Sequence, residues 1–375
     1  MVNKDRLVRL TRKLISIDSQ NPPGDEFKIA GFVSHYLKSL GVQVRIYEFK
    51  RGRSSVIATL GNKTKKHSLL ITPHLDTVPA GKNWSVNPFS GVVKEKRIYG
   101  LGATDCKGNL ACALEAITSI IENNTTLNYN LVFAATADEE SGSDLGLIPL
   151  LDKKILKADA AVVLDSDDFD IVITQKGLMH LKVKIQGRRA HGAYPWRGVN
   201  AIDAAIGIIK EIKARKLNYV KNKYLRPPTI NIGTIRGGDK VNVVADWCEF
   251  ELDFRFLPGM SAKYLLKVLK GAVKKHAKKF KIEIEGIQEP YSISQGHSLV
   301  KCLTRAMRKF KASPRIKGSE GATVITFFQH KKIPAIATGF GSGGCAHTTD
   351  EYAKIDNLYR GALVLEEFLT DYKFS

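Results

Sequence analysis

The sequence predicts an α/β protein: a helix-covered, mostly parallel sheet interrupted by an inserted α+β unit of ferredoxin-like βαββαβ order. Two observations predict it. Through the first half of the chain, and again near its end, amphipathic helical stretches alternate with short, almost wholly apolar runs, as in strands covered on both faces by crossover helices. Between these regions apolar and polar residues alternate one by one, the pattern of sheet with a single covered face. At 375 residues the chain is long enough for two such cores.

Helices are expected over 6–17 and 26–40, separated by the breaker Asn21-Pro22-Pro23-Gly24. Strands are expected over 55–60 and 68–72, the second nearly all apolar. A helix over 108–121, a strand over 129–136 and a short strand over 160–164 continue the alternation. The character changes after Lys176-Gly177: residues 179–185 alternate in polarity, a helix follows over 200–214, then strands over 229–235 and 248–256, a helix over 263–280 and a strand over 281–285. Beyond Glu289-Pro290 the first pattern returns, through 298–309, 322–330 and 334–338, to a last helix from Asp356. The expected division is a discontinuous larger domain, 1–176 with 291–375, and an inserted domain, 177–290.

Composition narrows the function classes. A hydrophobic content of 43% with 25% charged residues is that of a globular chain. The polar N-terminus does not read as a secretory signal, and apolar runs such as 160–164 and 204–209 are too short to cross a bilayer, so no membrane role is expected. Five scattered cysteines without CxxC spacing point to reduced thiols and a cytoplasmic location. The net charge of +21 would attract anions. Its lysines are spread along the chain, however, and the densest run, 263–281, carries apolar residues at helical spacing. That makes it a solvated helix face rather than a nucleic-acid site.

The chemistry lies in five segments: Pro73-His74-Leu75-Asp76, the stretch from Gly100 to Gly108 containing Asp105, Asp138-Glu139-Glu140, Leu164-Asp165-Ser166-Asp167, and Cys345-Ala346-His347. Together they offer two imidazoles and several carboxylates with no required sulfur, the donor inventory of a paired hydrolytic metal site. His74 and Asp76 follow a strand at i and i+2, so both can point one way, with Asp76 suited to hold the imidazole. Asp105 follows a glycine-rich turn, where it could cap the next helix or bridge two cations. Cys106 beside it reads as packing. Glu139 and Glu140, if extended, project oppositely, so one can bind metal while the other serves as general base. Asp165 ends a buried strand, with Asp167 and Asp168 further into the loop. His347 follows a glycine-rich loop free to reach a distant site.

At these residues the chain resembles the M20 family of metallohydrolases, in the branch of acetylornithine deacetylase and succinyl-diaminopimelate desuccinylase, over about residues 6–369. The resemblance implies two zinc ions, with cobalt or manganese as substitutes, one held by His74, Asp105 and Asp165 and the other by Asp105, Glu140 and His347. It makes Glu139 the general base and Asp76 the supporting carboxylate. It also implies that the inserted domain is a lid through which two chains pair, and that His191 polarises the substrate carbonyl in the partner's site. Asn242 and Arg255 match lid positions that contact a substrate carboxylate, and Tyr194 and Thr323 fall in segments near the substrate. The implied activity is deacylation of a small N-acylated amino acid. The alternatives are an exopeptidase of carboxypeptidase or dipeptidase type and, more remotely, a non-catalytic binding protein. Two departures bear on substrate. Family members usually carry Gly where Pro73 stands, and the common Gly-Thr-Asp-Ala segment is replaced by one with no Asp after Thr323.

Overall fold

The computed structural model describes residues 1–61, 65–321 and 323–374. The chain forms two compact units. The larger comprises Met1–Ile173, Ile293–Lys317 and Phe327–Ser375; the smaller comprises Thr174–Ser292 and Gly318–Thr326. The second visit of the chain to the smaller unit, over Gly318–Thr326, is a difference from the division expected above, which left 291–375 wholly in the larger one.

The larger unit is built on a mixed sheet. Its centre is four parallel strands in the spatial order Asn130–Ala135, Ser68–Thr72, Ala160–Val163 and Ala335–Thr338. Antiparallel strands flank them: Ser54–Leu60 and then Gln43–Glu48 on one side, Asp170–Gln175 on the other. Leu69, Leu70, Ile71, Leu131, Phe133, Ala161 and Val162 are fully buried, as strands covered on both faces must be. The helix Lys107–Glu122 is buried almost throughout and lies against Ile355–Asp371 and Lys4–Ile15. Lys4–Ile15 is capped by Asn3, whose side chain accepts from the Arg6 amide at 2.9 Å, and anchored by Arg6 to Glu115 at 2.7 Å. A small sheet of Val92–Lys94, Arg97–Tyr99 and Tyr352–Lys354, invisible in the periodicity, ties the late chain to the early loops.

The smaller unit has βαββαβ order: Gly177–Gln186, helix Ala201–Ala214, Thr229–Gly237, Trp247–Phe256, helix Ala262–His276, and Lys279–Gln288. Its sheet is antiparallel, with Gly177–Gln186 and Trp247–Phe256 in the middle and Thr229–Gly237 and Lys279–Gln288 at the edges. Burial alternates along both central strands, and Met179, Leu181, Val183, Phe250, Phe254 and Phe256 form the core with Ile208 and Leu269 from the helices. The other face pairs charges, Lys182 with Glu251 and Lys184 with Glu283, each at 2.8 Å. The second helix ends at His276, four residues before the periodicity does. Ala277 is extended, and Phe280 is drawn into the sheet opposite Ile185.

Candidate metal centre

The four central parallel strands of the larger unit release the site from their carboxyl ends. Ser68–Thr72 leads to His74 and Asp76, Asn130–Ala135 to Glu139 and Glu140, Ala160–Val163 to Asp165, and Ala335–Thr338 into the loop that carries His347. Parallel pairing runs one step past the strands, where His74 bridges Thr136. This edge is where open parallel sheets place their sites.

Asp105 arrives from the turn ahead of Lys107–Glu122. Gly102 there has φ +82°, and a Cβ on it would lie 2.8 Å from the Thr77 methyl, so only glycine fits. The buried Glu351 fixes the turn by accepting from the amides of Gly102, Thr104 and Asp105 at 2.9, 2.8 and 2.9 Å. Glu351 was not singled out from the sequence; its place four residues after His347 was the only signal.

The two oxygens of Asp105 face different histidines. Oδ1 lies 2.9 Å from His74 Nε2 and Oδ2 lies 3.3 Å from His347 Nε2. Asp165 adds a carboxylate 3.9 Å from His74 Nε2, and Glu140 one 3.1 Å from His347 Nε2. Three groups have donor atoms within 4.8 Å of one another: His74, Asp105 and Asp165; Asp105, Glu140 and His347; and His74, Glu139 and Glu140.

Two details differ from expectation. Glu139 and Glu140 lie in a 3-10 turn, Glu139–Ser141, and not in extended chain, so both can approach His74. What separates them is their surroundings, because Glu140 contacts His347 at 3.1 Å while, among the described residues, the Glu139 carboxylate is near His74 without a hydrogen bond or ion pair to an imidazole. In addition, His74 Nδ1 is closer to the main-chain oxygen of Asp76, at 3.0 Å, than to its carboxylate, at 3.5 Å. The Asp76 carboxylate instead accepts from the amides of Glu139 and Glu140, both at 3.1 Å, and from Asn21 Nδ2 at 2.9 Å.

The electrostatics call for cations. Among the described residues no lysine or arginine forms an ion pair with Asp105, Glu139, Glu140 or Asp165. Burial and then repulsion from Asp165 raise the pKa of Glu139 well above the usual carboxylate range. Burial and then Asp105 push Asp165 up to about 7. For Asp105 burial works the other way, but the hydrogen bonds from His347 and His74 outweigh it and lower its pKa. Asp105 and then Glu140 raise His347 to about 10. A crowded set of carboxylates balanced by only two imidazoles is what a divalent pair would neutralise, and hard oxygen donors with imidazole suit zinc, cobalt or manganese.

His191, Tyr194, Asn242, Arg255 and Thr323 belong to the smaller unit. The His191 ring lies 5.8 Å from that of Tyr194, and its Nδ1 accepts from the Ala193 amide at 3.0 Å. Asn242 is held next to this loop, its main-chain oxygen accepting from Gly192 at 2.8 Å. Arg255 is ion-paired with Asp253 at 2.9 Å. The Thr323 hydroxyl donates to Gln175 at 2.7 Å, which makes it a clamp on the chain. Asp167 and Asp168 lie apart from the three donor groups. Cys106 is buried with its thiol on the Leu164 carbonyl at 3.1 Å, and all five cysteines are free and buried. Among the described residues no helix is long and apolar enough to cross a membrane.

Known proteins resemble this chain in sequence and fold. The profile of peptidase family M20/M25/M40 matches residues 70–371. Acetylornithine deacetylase of Proteus mirabilis is 28% identical over 364 residues, spanning 92% of this chain and 91% of the relative. A tripeptidase of Staphylococcus aureus superposes with a TM-score of 0.81 at 27% identity, covering 99% of this chain and 98% of its own. A dinuclear metal-binding peptidase of the M20 family from Bacillus subtilis shares the fold, with a TM-score of 0.74 at 15% identity and coverage of 98% and 97%.

Proposed function

The chain belongs to peptidase family M20/M25/M40 and is a metal-dependent hydrolase, and from that premise we propose that it cleaves the amide bond of a small N-acylated amino acid with two zinc ions. The observation that carries this reading is the Asp105 carboxylate, whose two oxygens face two different imidazoles. In this reading His74, Asp105 and Asp165 hold one ion, and Asp105, Glu140 and His347 the other. Cobalt or manganese suits the same donors.

A metal pair held there supplies Lewis acidity and acidifies water. Glu139, left outside the contacts to His347, takes the proton of the attacking water and passes it to the departing amine. Asp76 holds the Glu139 turn in place for that transfer. His191 polarises the scissile carbonyl from the neighbouring chain of a homodimer paired through the smaller unit. Two edge strands there, Thr229–Gly237 and Lys279–Gln288, support such pairing. Asn242 and Tyr194 lie beside His191, and Arg255 would exchange Asp253 for a substrate carboxylate, which its fork fits bidentately. Thr323 contributes through Gln175.

The tripeptidase likeness favours a second reading, an exopeptidase acting on short peptides. One experiment separates the two: the zinc-loaded protein is assayed on acetyl-, succinyl- and formyl-amino acids beside dipeptides and tripeptides, before and after chelation. Chelator-sensitive release of acyl groups supports the deacylase. Cleavage of peptides alone moves the assignment to the exopeptidase. No turnover by fully metal-loaded protein on either panel favours a binding protein.

A further inference from the structure

Behind the Glu139 turn lies a buried ionic array that the proposed chemistry does not use. Arg53 donates through Nε and Nη2 to both oxygens of Glu26, at 2.8 and 2.7 Å, and through Nη2 to Oδ1 of Asp138, also at 2.7 Å. All three residues are buried, Arg53 at 6% exposure and Glu26 at 0%. Asp138 immediately precedes Glu139 and sits in the left-handed region at φ 68°, a conformation unfavourable for a side-chain-bearing residue. Its own contacts hold it there. Oδ2 accepts from the Leu145 amide at 2.8 Å, Oδ1 accepts from Arg53 and, at 3.4 Å, from Asn21 Nδ2, and its amide donates to Glu26 at 3.2 Å. The same Asn21 nitrogen donates to Asp76, the carboxylate that carries the amides of Glu139 and Glu140.

Stability does not explain this array. Desolvating three charges generally costs as much as their attraction returns, and apolar replacements of such clusters are often as stable or more so. Each contact does, however, constrain one thing: the direction in which the backbone leaves Asp138. The guanidinium also lies against the chain at Gly24, where an added Cβ would meet Nη1 at 2.3 Å. The early loop, the second strand and the catalytic turn are thereby locked into one arrangement.

We propose that Arg53 is a positioning residue for the reaction: through Asp138 it holds the strained turn that aims Glu139 and Glu140. The proposal rests on the reading of Glu139 as general base. Arg53→Lys keeps the charge but ends one bond short of Nη2 and cannot reproduce the fork in which Nε holds Glu26 while Nη2 holds Glu26 and Asp138. Glu26→Gln breaks the ion pair yet keeps an acceptor for the Asp138 amide and leaves the Arg53–Asp138 contact in place.

The test measures kcat, KM, Tm and zinc affinity by chelator competition in the full-length, zinc-loaded protein. Arg53→Lys should lower kcat, and the affinity for one of the two ions, by about 10–100-fold, the usual cost of losing an outer support, with KM little changed. Glu26→Gln should lose a comparable amount of Tm but keep most of kcat. In a Glu139→Ala background at saturating zinc, Arg53→Lys should cause a much smaller further loss of kcat, because the part of its effect that runs through Glu139 is already gone. The proposal is overturned if Arg53→Lys keeps wild-type kcat and zinc affinity, if its loss persists undiminished in the Glu139→Ala background, or if both substitutions lose kcat in proportion to Tm. A Glu139→Ala protein with near-wild-type kcat would instead overturn the base assignment, a distinct outcome read from the same set.

Discussion

Replacing Asp76 with asparagine keeps the shape of a carboxylate that accepts three hydrogen bonds beside the site and removes one acceptor and one charge. In the native protein Oδ1 takes the Glu139 amide, and Oδ2 takes the Glu140 amide and Asn21. An asparagine can present its oxygen to one side only. The less costly choice keeps the oxygen towards Glu140 and Asn21, so its amide nitrogen then opposes the Glu139 N–H, donor against donor, at a position with no exposure. A buried donor left without an acceptor costs about 1–3 kcal/mol. For a unit of this size that is a fall of roughly 2–12 °C in the Tm of the metal-free protein. The pH dependence has a definite sign. Burial opposes the charged form of Asp76, but His74 and Asn21 outweigh it and lower its pKa from 3.8. The charged carboxylate therefore stabilises the fold above pH 3.8, and that contribution is lost as pH falls through the lowered value. The stability gap between wild type and Asp76→Asn should be full at neutral pH and narrow in acid. Because the turn bearing Glu139 and Glu140 hangs from this carboxylate, zinc affinity should fall by about 10–100-fold. Calorimetry on metal-free protein across pH and chelator competition at neutral pH read the two effects. Unchanged Tm and unchanged affinity would refute the reasoning; a lower Tm with unchanged affinity would refute the positioning part alone.

Other outcomes follow from the same geometry. Glu139→Ala should retain bound metal and lose about 10²–10⁴-fold in kcat, checked by elemental analysis beside steady-state rates. Asp105→Ala should lower occupancy of both ions together, and two tightly held ions per chain would contradict its bridging position. In metal-free protein His347 titrates near 10, above its ordinary 6.5, so its charged form stabilises the fold below pH 6.5 and that contribution is lost as pH rises through about 10. Metal must displace that proton, and calorimetry should find affinity rising with pH over this range, with proton release. Mixing His191→Ala with Glu139→Ala should restore activity upon subunit exchange if His191 acts across a dimer, and exchange without recovery would exclude it.

The sequence is legible where chemistry and periodicity are local. Ser68–Thr72 has the extent its apolar run predicts, and all five acidic and histidine segments meet at one sheet edge. Residues whose roles depend on distant partners were not legible. Glu351 reads as one more acidic residue until three amides of the Asp105 turn are seen on it. Arg53 sits in the basic run Lys50-Arg51-Gly52-Arg53 and looks solvated, yet it is buried between acids from two other segments. The strand Asp170–Gln175 went unassigned because an acidic cluster precedes it, although every residue in it is buried. The glutamate pair departs from expectation because a left-handed Asp138 converts an expected extended segment into a turn.

The order in which the metal-binding strands occur along the chain has a consequence for biosynthesis. Synthesised from the amino end, the protein has His74, Asp105 and Asp165 before the halfway point, the first and last of them just beyond two strands paired directly with each other. The other set waits for His347, close to the end, and for the strand Ala335–Thr338 that docks beside Ala160–Val163. In the proposed assignment a nascent or C-terminally truncated chain therefore carries every donor of the first set but lacks His347 of the second, and it also lacks Glu351, which fixes the Asp105 turn. On that assignment, full loading with two ions would report that the last segment has been synthesised and has found its place, and a chain released early would be chemically marked by its unfilled half-site.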